Sequence, residues 1–284
     1  MQKVLEIGCQ VKICYGAPQS DAWLRARCGR ICGSQIIDAC SYLTRNSGTK
    51  KPGDSSATRD KYRLNLIAER LTGRLSDHVY TPAMQWGNEQ EAETIGFYES
   101  LMRVMAVPVG FVIHEDFDFW GSTPDALIGE DGVLEVKNPN TVTHLTYFLE
   151  GVVPQDYIPQ VASQLACCGK ERRYADFVSR DSRIQNEKLR YFYKRTGRDE
   201  LEWTIGSGKE EIKLTGEAVI DYFTSEAVKM NAEIEAFLAA HNAKPIAPFP
   251  LDFREEEAPD PGYDASKGFD EQDYSFLDGA VDAP

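Results

Sequence analysis

Two short polar runs ten positions apart carry the chemistry this sequence offers: Thr123-Pro124-Asp125 and Glu135-Val136-Lys137. In an extended strand successive side chains alternate faces, so Glu135 and Lys137 project together while Val136 points into the core. Between the runs, Gly129-Glu130-Asp131-Gly132 is a strong turn signal and predicts a hairpin that joins strands over 126–128 and 133–136. With Ile128 facing Val133, Asp125 arrives opposite Val136, between the two polar side chains. Two carboxylates and the Val136 carbonyl then form a hard-oxygen site suited to Mg²⁺, an ion that keeps several waters and binds substrate phosphate. A lysine beside them orients or deprotonates an attacking water and offsets phosphoryl charge. Such a set performs metal-assisted hydrolysis of a phosphodiester. A Glu-x-Lys triplet alone is common; the Pro-Asp run and the turn signal give it weight.

The elements that must position these groups alternate in type. Ser20-Asp21 caps a short helix containing Trp23, Leu24 and Ala26, and a second helix is predicted over 34–44. A Gly/Ser/Lys loop over 46–56 precedes helices over 57–71, stopped by Gly73, and 83–104, started by Pro82. Strand patterns follow at 110–114 and in the hairpin, then helices at 143–150 and 158–168. Strands recur at 174–178, 189–193 and around 211–214, and a long amphipathic helix over 215–241 closes the order. No repeat of 20 to 50 residues is present. The order fits a single α/β domain with a short mixed central sheet flanked by helices.

The chain has 284 residues, 42% hydrophobic and 27% charged, enough to bury a sizeable core and to exclude wholesale disorder or a fibrous architecture. No run approaches the roughly 20 apolar residues of a membrane helix, and the first ten residues lack the pattern of a secretory signal, so a cytoplasmic location is expected. A net charge of −14 argues at first sight against a polyanionic partner. From Leu251 onward, however, eleven acids face only Arg254 and Lys267, and five prolines interrupt residues 245–261. Residues 246–284 therefore read as a disordered acidic tail on a nearly balanced body of 1–245. Within the tail, Tyr274-Ser275-Phe276-Leu277 is an apolar island of the kind that docks a partner protein or is merely part of a solubilising segment. Inside the body, residues 170–198 hold ten basic side chains against four acids, either a phosphate footprint or a solvated charged face. Seven cysteines without an export signal favour free thiols over disulfides. Cys9, Cys14, Cys28 and Cys32 contain no CxxC pair and read as small buried side chains rather than metal ligands. His114 and His144 read as structural.

Pro124-Asp125 with Glu135-Val136-Lys137 resembles the signature of the PD-(D/E)XK nucleases, and four further blocks resemble the phage lambda exonuclease, or YqaJ-like viral recombinase, family. They are Asp21-Ala22-Trp23-Leu24-Arg25-Ala26-Arg27-Cys28-Gly29-Arg30-Ile31 with Ser34, Trp86-Gly87-Asn88-Glu89-Gln90-Glu91, Gly121-Ser122-Thr123-Pro124-Asp125-Ala126-Leu127, and Tyr157-Ile158-Pro159-Gln160-Val161 with Gln164. Ala126 stands where the family usually has glycine. The resemblance implies a restriction-endonuclease-like core and a Mg²⁺-dependent 5′-to-3′ exonuclease that acts on double-stranded DNA ends and leaves 3′ single strands for recombination. It assigns Asp125, Glu135, Lys137 and Gln160 to catalysis. Asp125, Glu135, the Val136 carbonyl and Glu91 fall to two Mg²⁺ ions, with Mn²⁺ as a substitute. An upstream acid also joins the metal site; an ungapped count lands on Glu115, with Asp116 and Asp118 as close competitors. Arg27, Ser34 and Thr123 fall where the family holds the terminal 5′-phosphate. A homotrimeric ring, a single-strand annealing partner and a phage or prophage setting in a bacterial host are further implications. The rival readings are a RecB-like or CRISPR-associated nuclease of other polarity or substrate, and a non-catalytic DNA- or protein-binding module of the same fold. The iron–sulfur cysteines such nucleases often carry after the core have no counterpart beyond Cys168.

Overall fold

A computed structural model describes residues 12–14, 18–76, 82–206 and 211–248. The acidic tail, apart from its first three residues, lies outside the described residues, as does Cys9.

Strand β1 (Lys12–Cys14) leads to helix α1 (Asp21–Arg27), whose N-terminus is capped by the Ser20 hydroxyl accepting from the Trp23 amide. Strand β2 (Ile31–Cys32) runs into a single 3₁₀ turn, Gly33–Gln35, and a four-residue helix α2 (Ile36–Ala39). The sequence pattern predicts one continuous helix over 34–44. Instead, the Ala39 carbonyl accepts Arg59 Nε at 2.8 Å, and the Leu43 amide turns away to the Asp54 carbonyl. Helix α3 (Ala57–Thr72) is capped by Ser56 and stopped by Gly73 at φ +64°. Helix α4 (Pro82–Met102) follows, then β3 (Ala106–Val107), β4 (Phe111–Ile113), β5 (Trp120–Ser122), β6 (Ala126–Ile128) and β7 (Gly132–Lys137). Helices α5 (Thr141–Glu150) and α6 (Ile158–Cys167) precede β8 (Tyr174–Arg180) and β9 (Tyr191–Gly197). A small hairpin, β10 (Glu202–Ile205) with β11 (Ile212–Thr215), leads into the long helix α7 (Glu217–Ala240).

Five strands form the central sheet in the order β3-β6-β7-β8-β9; β7 and β8 are parallel and the other neighbours antiparallel. This is the mixed α/β architecture the element order predicts. A second sheet, β1-β4-β5-β2, stands beside it. The main core lies where α6, buried along nearly its whole length, meets Phe177 of β8, Trp120 of β5 and the stripe Val219, Phe223, Ala227, Met230, Ile234, Leu238 of α7. Each large apolar side chain buried there contributes about 1.5–3 kcal/mol. The same packing fixes α6 against the sheet and so positions its polar side chains. Among the described residues, no helix is long and apolar enough to cross a membrane.

Candidate active site

The hairpin that carries both polar runs pairs Ala126 with Leu134, Leu127 with Val133 and Ile128 with Gly132. This register is one residue off the one expected from the turn signal. Gly132 belongs to the strand: a Cβ there would lie 2.5 Å from the Tyr174 ring, so its glycine serves a close approach and not the turn. Asp125 therefore comes opposite Glu135 and not opposite Val136. Its amide donates to the Leu134 carbonyl at 3.0 Å, and its carboxylate accepts the Val136 amide at 2.5 Å.

Glu135 is fully buried and held from three directions. Lys137 Nζ forms an ion pair with it, Gln160 Nε2 donates to it at 2.7 Å, and Gln164 Nε2 donates to its other oxygen. Gln160 and Gln164 are one turn apart on α6, so a single helix face clamps the carboxylate. Lys137 also lies 5.3 Å from the centre of the Tyr157 ring. Burial and the facing charge of Glu135 push the Asp125 carboxyl well above its ordinary range, against the opposing pull of Lys137. Burial works against the Lys137 ammonium, but Glu135 and Asp125 overcome it and hold its pKa above the usual value. Glu91 on α4 is within electrostatic reach: burial raises its carboxyl, Lys137 lowers it and Glu135 raises it. Two hydrogen bonds tie α4 to the end of β7, Thr94 Oγ1 to Asn138 Oδ1 at 2.7 Å and Asn138 Nδ2 to the Gly87 carbonyl at 3.4 Å.

Next to this cluster, Arg27, Ser34, Thr123 and Gln160 line a cavity of about 50 Å³. The Arg27 guanidinium stacks 4.3 Å from the centre of the Trp23 ring, and its buried Nε has no partner. Trp23 Nε1 donates to Thr123 Oγ1 at 3.2 Å. A Cβ on Gly33 would fall 2.4 Å from Ser122 Oγ and 2.9 Å from Ser163 Cβ, so glycine is what lets the Ser34 turn approach β5 and α6. A cationic fork with an unused donor beside three polar side chains has the chemistry to take an anion.

Glu115, Asp116 and Asp118 do not join the cluster. All three are exposed on the loop between β4 and β5. Because Ile113 pairs with Gly121 and Val112 with Ser122, this loop lies at the opposite end of the strand pair from Thr123. The ungapped count misplaces the acid because it takes no account of how far the two strands extend before they turn. Sequence reasoning also missed the direct hold of Gln164 on Glu135, although the four-residue spacing from Gln160 was its signal, and the indole of Trp23 as the link between Arg27 and Thr123.

The basic stretch is largely engaged inside the protein. Arg172 donates to the Gly129 and Gly132 carbonyls, Arg180 pairs with Glu93, Arg183 with Asp181, Arg195 with the buried Asp176, and Arg198 with Glu217. Lys170, Arg173, Lys188 and Lys194 remain exposed. Arg183 and Arg195 are exposed as well but ion-paired, so among the described residues the unpaired part of the footprint read from the sequence is these four. His144 is structural, with its ring nitrogens on Ser179 Oγ and the Leu189 carbonyl, and His114 stacks on Trp120. Cys28, Cys32, Cys167 and Cys168 are buried free thiols; burial pushes Cys28 up to about 11 and Cys168 up to about 12, which suits packing and not thiolate ligation.

Among the described residues, no three His, Cys, Asp or Glu side chains are gathered closely enough to hold an ion by themselves. The oxygens brought together at the site are the two facing carboxylates of Asp125 and Glu135, and the resemblance adds the Val136 carbonyl. These hard oxygens fit Mg²⁺, which completes its shell with water and substrate oxygen. Burial first and the facing Glu135 second raise the Asp125 pKa, and a bound cation would favour its carboxylate form.

The YqaJ-like viral recombinase domain matches residues 22–171, which span all five functional blocks. Among solved structures, the alkaline exonuclease LHK-Exo from Laribacter hongkongensis is similar at 28% identity and a TM-score of 0.63, covering 78% of this chain and 96% of that one. LHK-Exo in complex with dAMP gives 28% identity, a TM-score of 0.61, and 78% and 98% coverage. A phage-related exonuclease from Haemophilus somnus 129PT shares the fold at 10% identity and a TM-score of 0.51, covering 75% of this chain and 96% of its own. No curated protein sequence matches.

Proposed function

Since the chain belongs to the YqaJ-like viral recombinase domain family and has the fold of phage-type exonucleases, we propose that it is a Mg²⁺-dependent exonuclease that degrades one strand of duplex DNA from its 5′ end and leaves a 3′ single strand for recombination. The observation that carries this reading is the juxtaposition of the Asp125–Glu135–Lys137 cluster with the Arg27 anion pocket, Gln160 belonging to both.

Asp125, Glu135 and the Val136 carbonyl would hold two Mg²⁺ ions, with Glu91 in support. When bound, the ions supply Lewis-acid stabilisation of the phosphoryl oxygens and lower the pKa of the attacking water. Gln160 and Gln164 fix the Glu135 carboxylate, which spares the reorganisation that a flexible ligand would need. Lys137, kept as an ammonium by Glu135 and Asp125, donates to the water and offsets charge on the phosphoryl group. Arg27, Ser34 and Thr123 grip the terminal phosphate and set the strand against the carboxylates. Water oxygen bonds to phosphorus, the bond from phosphorus to the 3′ oxygen breaks, and that oxygen takes up a proton. The shortened strand keeps a 5′-phosphate, the group the pocket needs for the next cycle. A homotrimeric ring around the DNA, an annealing partner, a cytoplasmic setting in an infected bacterium and the solubilising or docking acidic tail belong to the same reading.

The test compares linear duplexes ending in 5′-phosphate or 5′-hydroxyl with closed circles, in Mg²⁺ or EDTA. Fast loss of the 5′-phosphorylated strand in Mg²⁺ alone is expected. Equal degradation of circles would sink the exonuclease claim, and undiminished cutting by Lys137→Ala would sink the site assignment.

A further inference from the structure

On the other side of Arg27 from the catalytic cluster lies a second cavity of about 620 Å³, within the range of roughly 300–1,000 Å³ for ligand sites. Arg27 and Cys32 line both cavities, so the two meet at this pair. One wall is a face of α3 that presents Thr58, Lys61 and Asn65 at successive turns; Gln35 adds another polar side chain. None of these four side chains has a hydrogen-bond or ion-pair partner among the described residues, which contrasts with the engaged arginines of the basic stretch. Two acids, Asp38 and Glu69, also line the wall; Glu69 is taken by the Gly29 and Ser76 amides, each at 3.0 Å, and Arg27 and Arg30 stand against them in the same lining. With the cations Arg27, Arg30 and Lys61 matched in the lining by Asp38 and Glu69, the amide and hydroxyl groups of Gln35, Asn65 and Thr58 suit a sugar and base more than a second cluster of phosphates.

We propose that this cavity is a subsite for one nucleotide lying 5′ to the phosphate gripped by Arg27, so that the protein accepts strand ends carrying an unpaired 5′ nucleotide. The inference rests on the exonuclease reading above. With the extra nucleotide seated there, its internal phosphate occupies the Arg27 pocket in place of a terminal one. The bond presented to the carboxylates is then the next along the strand.

The consequence is a change of product. The full-length protein in Mg²⁺ is given a duplex whose strand begins with one unpaired 5′-hydroxyl nucleotide, and a blunt 5′-phosphorylated duplex serves as control. The first product expected from the extended strand is a dinucleotide with hydroxyls at both ends: water adds to phosphorus, the bond to the dinucleotide's 3′ oxygen breaks, and the remaining strand keeps a 5′-phosphate. Mononucleotides follow. A mononucleoside as first product, or consumption no faster than that of a blunt 5′-hydroxyl duplex, overturns the subsite. Asn65→Trp and Thr58→Trp fill the cavity from partly or fully exposed positions of α3 and lower the ratio of dinucleotide from the extended strand to mononucleotide from the control by about tenfold. An unchanged ratio in both variants also overturns it. Failure of the control duplex itself to be digested defeats the underlying function, whereas normal digestion of the control with a mononucleoside first product defeats the subsite alone.

Discussion

Two regions of this protein offer positive charge, and they use it in opposite ways. Residues 170–198 carry ten cations, yet Arg172, Arg180, Arg183, Arg195 and Arg198 are engaged with carbonyls and carboxylates of the fold. The region around α1 offers far fewer, but Arg27 keeps a buried Nε with no partner, beside Ser34 and Thr123. Density of charge in the sequence therefore says little about where an anion binds. What matters is whether the folded protein leaves a donor unsatisfied and walled off from solvent, since such a donor recovers its full desolvation cost only when the ligand arrives.

The contrast breaks if activity and stability respond alike in the two regions. The largest effect belongs to the carboxylate cluster next to Arg27. Glu135→Gln keeps the shape but removes the charge, and kcat falls by about a thousandfold. Tm falls by a few degrees, because the relief of like charge at Asp125 offsets only part of what is lost when the donors Lys137, Gln160 and Gln164 face an amide; a variant above a tenth of wild-type rate removes Glu135 from the mechanism. Arg27→Ala comes next: the preference for 5′-phosphate over 5′-hydroxyl ends drops by about 10- to 100-fold in kcat/KM, the worth of a charged hydrogen bond, with little change in Tm. In the basic stretch Arg195→Ala gives the reverse pattern. Asp176 is fully buried but retains the Tyr98 and Tyr193 hydroxyls, and Arg195 is partly exposed, so denaturant titration shows a loss of about 1–3 kcal/mol with kcat/KM preserved.

Two smaller effects sharpen the same distinction. Millimolar Mg²⁺ raises Tm of the wild type by a few degrees through binding to the folded state and leaves Asp125→Asn unmoved; an equal rise in both would place the ion elsewhere. At Asp181, burial raises the carboxyl pKa, but hydrogen bonds from Arg183 and Thr141 outweigh it and hold the pKa below its ordinary value. The stabilisation is present above the unfolded pKa of about 3.9 and is lost as pH falls through the folded one. The Tm difference between wild type and Asp181→Asn therefore shrinks on acidification, and a difference that grows instead would reverse the sign.

The long amphipathic helices, the cap at Ser20 and the hairpin that carries Asp125 and Glu135 were legible in the sequence because each rests on local chemistry. The strands Ile31–Cys32 and Trp120–Ser122 were not; they are too short to show a period, and Ile31–Cys32 exists through pairing with Trp120 and Gly121, about ninety residues away. The helix expected over 34–44 failed for a related reason, since Arg59, twenty residues away, takes the Ala39 carbonyl. At the site, Asp125, Glu135 and Lys137 come together as their types and spacing foretold, and Gln160 joins them as the family resemblance implied. The hairpin register slipped by one because Gly132 reads as a turn residue until the Tyr174 ring is seen above it. Glu115 was misplaced because sequence distance does not measure how far a strand pair runs.

Trp23 ties two sides of the Arg27 pocket together, its ring under Arg27 and its indole N–H on Thr123, two residues before Asp125. A rigid bicyclic side chain between Arg27 and Thr123 works as a gauge block. On the proposed reading the opening that receives the terminal phosphate is set by the width of an indole, whatever bases the strand contains.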